Sequence, residues 1–563
     1  MQVPQFFRRI KAFTLPSLSL IKLVLLSSLW IAVLANWPLW KTMTAVPEMG
    51  QSRGFIFIAA FAVMVAALLT AILSLLAWPS IIKPVIAVFL LSAALGAHFM
   101  GSYGVVIDSS MMVNVLTTDL HETRDLLGLR LFLSVLLLAG LPLLFLWRVP
   151  LERATVIRQA GRNAMVLAAS VLVMFIIGAV SFADLSSTMR NHRSLRYMIN
   201  PINSFYALGM VIHEANALPV GAPLAIGTDA KLLPRSSGAK PALLLLVVGE
   251  TARSDHFSLN GYARPTNPEL SQRDVISFRN VSSCGTNTAA SLPCMVSHLG
   301  REGFLARKQQ YENLLDLLQR TGMAVFWLGN QAGCKDVCDR IPYSFAKYPP
   351  RGMQHPPGLC VEGECLDEAL LTGLDARLAA LPEAKRNRGV VLVLHQMGSH
   401  GPAYYKRSPL ARKPFVPECQ TNVLQQCEKQ QLINAFDNSI AYTDYVLAKG
   451  IDWLAGQQGH YDPAMLYISD HGESLGENNL YLHGLPYALA PRQQKHIPMV
   501  LWLPVSTQAS TGVSSACLRQ HLDQPLTHDN LFHTVLGLVG ISTKVYSASL
   551  DALQPCRLGA VES

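Results

Sequence analysis

Five stretches of roughly 20 residues with almost no charge, at about 20–37, 54–78, 84–107, 131–147 and 164–183, constrain this 563-residue chain more than any other feature. A hydrocarbon core about 30 Å thick is crossed by ~20 apolar residues in helical form, so each stretch can span a bilayer. Lipid offers the backbone no hydrogen-bonding partners, which makes helices the expected form. The first stretch, with Arg8, Arg9 and Lys11 ahead of it, has the outline of a signal peptide. Four more spans follow it, so an uncleaved anchor is expected.

Charge is distributed as unevenly as hydrophobicity. Residues 1–200 hold 16 Lys and Arg against 7 Asp and Glu, and the remaining 363 residues carry 30 of each, so the whole net charge of +9 sits beside the apolar runs. That placement fits anionic lipid head groups. It speaks against a nucleic-acid partner, which would need a basic stripe on a soluble face. Arg8, Arg9 and Lys11 at the start, and Arg148, Arg153, Arg158 and Arg162 in the fourth connection, belong in the cytoplasm by the positive-inside rule. Five crossings from there deliver everything after about residue 184 to the far side.

The cysteines point to the same side. All ten, at 284, 294, 334, 338, 360, 365, 419, 427, 517 and 556, lie in the second half, and eight form close sequential pairs. Disulfides Cys284–Cys294, Cys334–Cys338, Cys360–Cys365 and Cys419–Cys427 are expected, with Cys517–Cys556 by elimination, in an oxidising compartment. The alternative is a structural zinc site, but the pairs are unequally spaced and do not form two CxxC knuckles.

Three regions are expected: a five-helix transmembrane domain over 1–183, a bridge over 184–238 and a soluble domain over 239–563. The connection at about 101–130 interleaves Val113, Leu116, Leu120, Leu126 and Leu127 with Asp119, Glu122, Arg124 and Asp125, as an amphipathic interfacial helix or a solvated connector would. After residue 239, the runs PALLLLVVGE, MAVFWLGN, GVVLVLHQMGSH, AMLYISDHGE and IPMVLWLP alternate with helical stretches. They predict a largely parallel α/β sheet sandwiched by helices. Ligands gather beyond the carboxyl ends of such strands, which would bring together Glu250, Asn330, His395, His400, Asp470 and His471.

Glu250 directly follows a buried apolar run and needs a counter-charge. A metal supplies one, and Asp470–His471 adds oxygen and nitrogen donors suited to zinc. The ordinary alternative is a strand-end acid bound by Arg253. In SSCGTNTAASLPCMVSHLG, Cys284 and Cys294 would tether a loop leading into a helix start near Thr288, where free N–H groups favour anionic oxygens. Thr286, Thr288 and Ser291 could each serve as nucleophile or merely as N-cap hydroxyl, and spacing does not choose among them. His400 and His483 could bind phosphate, protonate a leaving alkoxide or coordinate metal. With sixteen histidines in the chain, chance placement is the competing explanation.

Taken together, GETARSDHFSLNGYARPTNP, SCGTNTAASLPCM, HQMGSHGPAYYKRSP, FDNSIAYTD, ISDHGESLGENNLYLHG and PMVLWLP, behind five spans, resemble the lipid A phosphoethanolamine transferases over nearly the whole chain. That family includes the mobile colistin-resistance enzymes and belongs to the alkaline phosphatase and sulfatase superfamily. The resemblance implies an inner-membrane enzyme with a catalytic domain in the periplasm. It would move phosphoethanolamine from phosphatidylethanolamine to lipid A of lipopolysaccharide, in ping-pong fashion through a phosphoethanolamine-threonine intermediate. The product surface would be less negative and bind cationic peptides such as polymyxin less well.

By the same resemblance Thr288 is the nucleophile, and Glu250, Asp470 and His471, completed by the Thr288 oxygen, hold one zinc. His400 and His483 match positions tied to the transferred group or to a second metal, with His395 nearby. Lys335 matches a position beside that group, and the neighbouring family asparagine aligns with either Asn330 or Gln331. Asn114, Thr118 and Glu122 match residues that position the lipid donor. A monomer is expected, with membrane, donor and acceptor as its partners.

Two other readings compete. A phosphoglycerol transferase, a phosphoethanolamine transferase for another glycan or core sugar, a sulfatase or a phosphohydrolase would share the scaffold. A sulfatase would require a CxPxR-like nucleophile motif, which is absent. A transporter would need ionisable residues within its spans, and these hold almost none apart from His98.

Overall fold

The apolar runs fold as helices. The computed structural model describes residues 16–49, 52–118, 120–192, 194–217, 221–235, 238–331 and 333–557. It divides into two units, Met1–Asp108 with Leu127–Gly209, and Ser109–Leu126 with Met210–Ser563.

In the first unit Ser52–Leu75, Ile82–Tyr103, Leu129–Arg148 and Val156–Val180 are each long and apolar enough to cross a membrane. Their outer faces carry large apolar side chains, such as Phe175 and Ile56, that are each 71% exposed. A water-soluble protein avoids this arrangement and a membrane protein requires it. The stretch expected at 20–37 is not one straight helix: Leu20–Ala35 and Trp37–Thr44 meet at a 48° bend. Pro38 lacks the N–H that would bond the Leu34 carbonyl one turn back, which favours a bend there. Asn36 Nδ2 and Trp40 Nε1, both 2.9 Å away, answer the carbonyls of Ile31 and Ala32. Side-chain donors thus replace the water that is missing in lipid.

The second unit is built on an eight-stranded sheet of β1 (Ala242–Gly249), β2 (Val275–Ser282), β3 (Ala324–Gly329), β4 (Tyr343–Phe345), β5 (Val390–His395), β6 (Asp462–Ser469), β7 (His496–Trp502) and β8 (Leu526–Thr527). Their order is β8-β2-β7-β6-β1-β5-β3-β4. The five predicted runs are β1, β3, β5, β6 and β7. The first four lie together and parallel, whereas β7 runs antiparallel to both neighbours. Sequence patterning passed over β2, because exposed Arg279 and Asn280 interrupt its apolar residues.

All eight residues of β1 are buried, and alternate ones face opposite layers. Leu244, Leu246 and Val248 pack towards Leu314–Arg320 and Asp529–Val539, and Leu243, Leu245 and Val247 towards the long helix Lys429–Gly456. At ~1.5–3 kcal/mol for each fully buried large aliphatic side chain, this strand alone fixes the centre of the fold. Five disulfides form as expected, four between cysteines close in sequence and the fifth, Cys517–Cys556, across 39 residues. Ser109–Thr117 and Leu120–Leu126, two short helices of the connection, also belong to this unit.

Candidate active site

Register places the chemistry. Val248 of β1 lies between Ile468 of β6 and His395 of β5, and Gly249 pairs with Ser469. Glu250 and Asp470 therefore leave neighbouring strands at one level. Thr251 follows with φ +54, a left-handed conformation that a β-branched residue rarely adopts, and its N–H donates to Asp470 Oδ1 at 3.2 Å. Gly398 (φ +53) lets the next loop come close: a Cβ there would sit 2.5 Å from the Glu250 carbonyl oxygen.

Glu250, Asp470 and His471 are fully buried, and their donor atoms lie within 4.8 Å of one another. His471 Nδ1 faces the Gly472 carbonyl at 2.9 Å, so Nδ1 carries a proton. In the neutral ring Nε2 then presents a lone pair to Glu250 Oε1 at 3.2 Å and Asp470 Oδ2 at 3.3 Å. Asp470 Oδ2 has no hydrogen-bond partner in its buried position. Two buried carboxylates facing one imidazole nitrogen, with Asp470 Oδ2 left unpartnered, make an arrangement that a divalent cation would balance, so the residues fit a zinc site. Arg253 does not supply the charge, since it pairs with Asp255 and Glu477. The other Cys-containing clusters with metal-like spacing among the described residues use cysteines already bound in disulfides.

The three candidate hydroxyls separate cleanly. Thr286 Oγ1 donates to the Leu485 carbonyl at 2.7 Å, and Ser291 Oγ donates to the Asp470 carbonyl at 2.5 Å. Both are structural. Thr288 begins the helix Thr288–Met295, whose N-cap is Asn287, and its Oγ1 lies 3.0 and 3.1 Å from the Glu250 carboxylate oxygens and 3.5 Å from His471 Nε2. A first-turn hydroxyl at the positive end of a helix is well placed to meet an anionic phosphorus centre.

Around this group the His483 ring lies 4.5 Å from that of His471 and 5.3 Å from that of His400. His483 Nδ1 faces Glu473 Oε2 at 3.1 Å. Burial holds His400 well below its ordinary pKa and its Nδ1 has no partner. His395 Nε2 sits 3.9 Å from Glu250, and burial pushes this imidazole down to about 4. Of the two alternatives after β3, Gln331 Nε2 donates to Glu250 at 2.9 Å, whereas Asn330 turns to the Cys365 carbonyl and Asp367. Lys335 Nζ donates to the Thr117 carbonyl at 3.2 Å. Thr118 Oγ1 is occupied by the Asn114 carbonyl at 2.7 Å, and the Asn114 side chain is partly exposed. The side chain of Glu122 lies outside the described residues.

Sequence reasoning passed over two carboxylates. Glu473 orients His483, and its only signal is its place in the turn after Asp470. Asp367 receives the N–H groups of Met397 and Gly398, each at 2.8 Å, and so shapes the His400 loop. FDNSIAYTD and the later part of GETARSDHFSLNGYARPTNP serve as scaffold: Asp437 binds His256, Tyr262 and Arg264 of the segment after β1.

Comparison with known proteins places these features in one family. Residues 242–541 match the sulfatase family and residues 65–215 the family described as phosphoethanolamine transferase EptA/EptB. Phosphoethanolamine transferase EptA of Salmonella typhimurium is 39% identical, over 96% of this chain and 98% of that protein. Phosphatidylethanolamine transferase Mcr-1 of Escherichia coli is 36% identical, over 93% and 96%. The solved integral membrane lipooligosaccharide phosphoethanolamine transferase A of Neisseria meningitidis superposes with a TM-score of 0.89 at 33% identity, covering 96% of this chain and 100% of that one. A helix unit able to span membranes, a sulfatase-like sheet and whole-length similarity converge: the chain belongs to the phosphoethanolamine transferase family.

Proposed function

We propose that the protein transfers phosphoethanolamine from phosphatidylethanolamine to a phosphate of lipid A, with its catalytic unit in the periplasm, and so lowers the negative charge that draws polymyxin-like peptides to the surface. The observation that carries this reading is the Thr288 hydroxyl held within 3.1 Å of both Glu250 oxygens at a helix start. The basic residues flanking the spans and the five disulfides support the compartment.

Glu250, Asp470, His471 and the Thr288 oxygen would hold zinc, which when bound polarises the hydroxyl and offsets developing phosphoryl charge. Thr288 Oγ1 attacks phosphorus as the bond to diacylglycerol breaks, and its proton passes through the site to the leaving oxygen. His483, fixed by Glu473, and His400 face the transferred group and stabilise its oxygens. His395 lies beside Glu250, where a second metal or the transferred group would meet it. Gln331 holds Glu250 in place. A phosphoethanolamine-threonine remains, and a lipid A phosphate oxygen then attacks it to return the free hydroxyl. Asn114, Thr118, Glu122 and Lys335 would border the incoming donor, and Asn330 supports the Asp367 loop instead.

Mass spectrometry of lipopolysaccharide from cells expressing wild type or Thr288→Ala tests this. Wild type is expected to add phosphoethanolamine and the variant to add none. Addition by the variant removes Thr288 from the mechanism, and fragments carrying the group on a core sugar replace the acceptor.

A further inference from the structure

The interhelical connection reaches into the site by a route the mechanism does not use. Asp125, on Leu120–Leu126, is only 4% exposed and belongs to the catalytic unit. Its carboxylate meets Lys406 Nζ through one oxygen and Arg407 Nη2 at 3.4 Å through the other, and its carbonyl accepts from Asn422 Nδ2 at 2.6 Å. Arg407, whose side chain is 8% exposed, donates from Nε to the His400 carbonyl at 2.8 Å. The His400 backbone is otherwise tied through its N–H to Met397, next to the bond from Ser399 N–H to the Glu250 carbonyl. Elsewhere the same connection rests on the residue after His483, since a methyl group on Gly484 would come within 2.4 Å of Met111 Cε.

We propose that Asp125 is a positioning residue for the transfer reaction, acting through Arg407 to set the His400 backbone and hence the ring facing the transferred group. A guanidinium keeps its charge at any working pH, so one buried without its carboxylate must seek another acceptor or water. When it moves, the His400 carbonyl it holds loses its anchor. Displacements of about 1 Å at a reacting centre cost up to ~100-fold in rate. Lys406 shares the carboxylate but is more exposed and does not touch His400. The proposal rests on the reading of His400 at the transfer centre.

The test uses the full-length enzyme in detergent with phosphatidylethanolamine and lipid A. Asp125→Ala and Arg407→Ala should each lower kcat by ~10- to 100-fold, with little change in donor KM, as misplacement of this size predicts. The double variant should be no worse than either single one. Asp125→Ala should still act in a Lys406→Ala background, which itself keeps wild-type kcat. Multiplicative losses, a change confined to KM, or normal kcat in Asp125→Ala would overturn the proposal. Should Asp125→Ala lower the melting temperature, the near-isosteric Asp125→Asn carries the test: reduced kcat at unchanged melting supports the proposal, and wild-type kcat overturns it. His400→Ala separates the two levels. Wild-type transfer by that variant removes the reading of His400 itself, whereas an impaired His400→Ala beside normal Asp125 variants removes only the positioning role.

Discussion

The two units solve opposite solvation problems with the same twenty side chains. In the helix unit only 11% of the apolar window of Val156–Val180 is buried, and the rest of its bulk faces outward. In the catalytic unit every residue of β1, β5 and β6 is buried, and charged groups collect in the interior where those strands stop. One unit exposes what water rejects and the other buries what oil rejects. The first arrangement suits a lipid surround, and the second gathers donor atoms that fit a cation.

That contrast can be broken unit by unit. The largest effect is expected from thiol reduction, because all ten cysteines lie in the catalytic unit and losing a native disulfide typically costs ~2–5 kcal/mol. Near-ultraviolet dichroism and regional hydrogen exchange should show that unit melting earlier while the helices are untouched; equal loosening of both would erase the distinction. Next is Leu172→Arg on the exposed face of Val156–Val180. Insertion should weaken by ~2.5–3.5 kcal/mol, read as the membrane-integrated fraction, with no change in the melting of the catalytic unit.

The smallest effect concerns His528, whose Nδ1 accepts from the Cys284 N–H and whose Nε2 donates to the Ser469 carbonyl, a pairing only the neutral ring can make. Burial pushes it down to about 4, so the folded form binds fewer protons than the unfolded one between about pH 6.5 and 4. Its contribution is complete above that window and lost as pH falls through it. His528→Gln should flatten this acid limb by ~2–4 °C in melting temperature, and an unaltered limb would locate the acid sensitivity elsewhere.

Legibility in the sequence followed the same divide. Spans and parallel strands are written in runs of apolar residues, which report burial or lipid directly, so β1, β3, β5 and β6 were plain. The bend at Asn36 was not, because Pro38 and two side-chain donors reshape the helix without altering its apolar character. Glu250, Asp470 and His471 could be suspected from strand ends alone, but the choice of Thr288 over Thr286 and Ser291 required knowing where each hydroxyl points. Asp125 was hidden for another reason: it lies 282 residues from the arginine it pairs with, and nothing local marks it.

The registry of β1 against β6 also governs when the site can exist. Thr251 and Asp470, bonded to each other, are 219 residues apart in the chain. A polypeptide emerging N-terminus first thus displays Glu250 and Thr288 long before the strand bearing Asp470 and His471 arrives beside them. Until that late strand docks, the nascent chain holds at most a fragment of the donor set. Glu250, Thr288, Asp470 and His471 can therefore be brought together only once β6 has paired with β1.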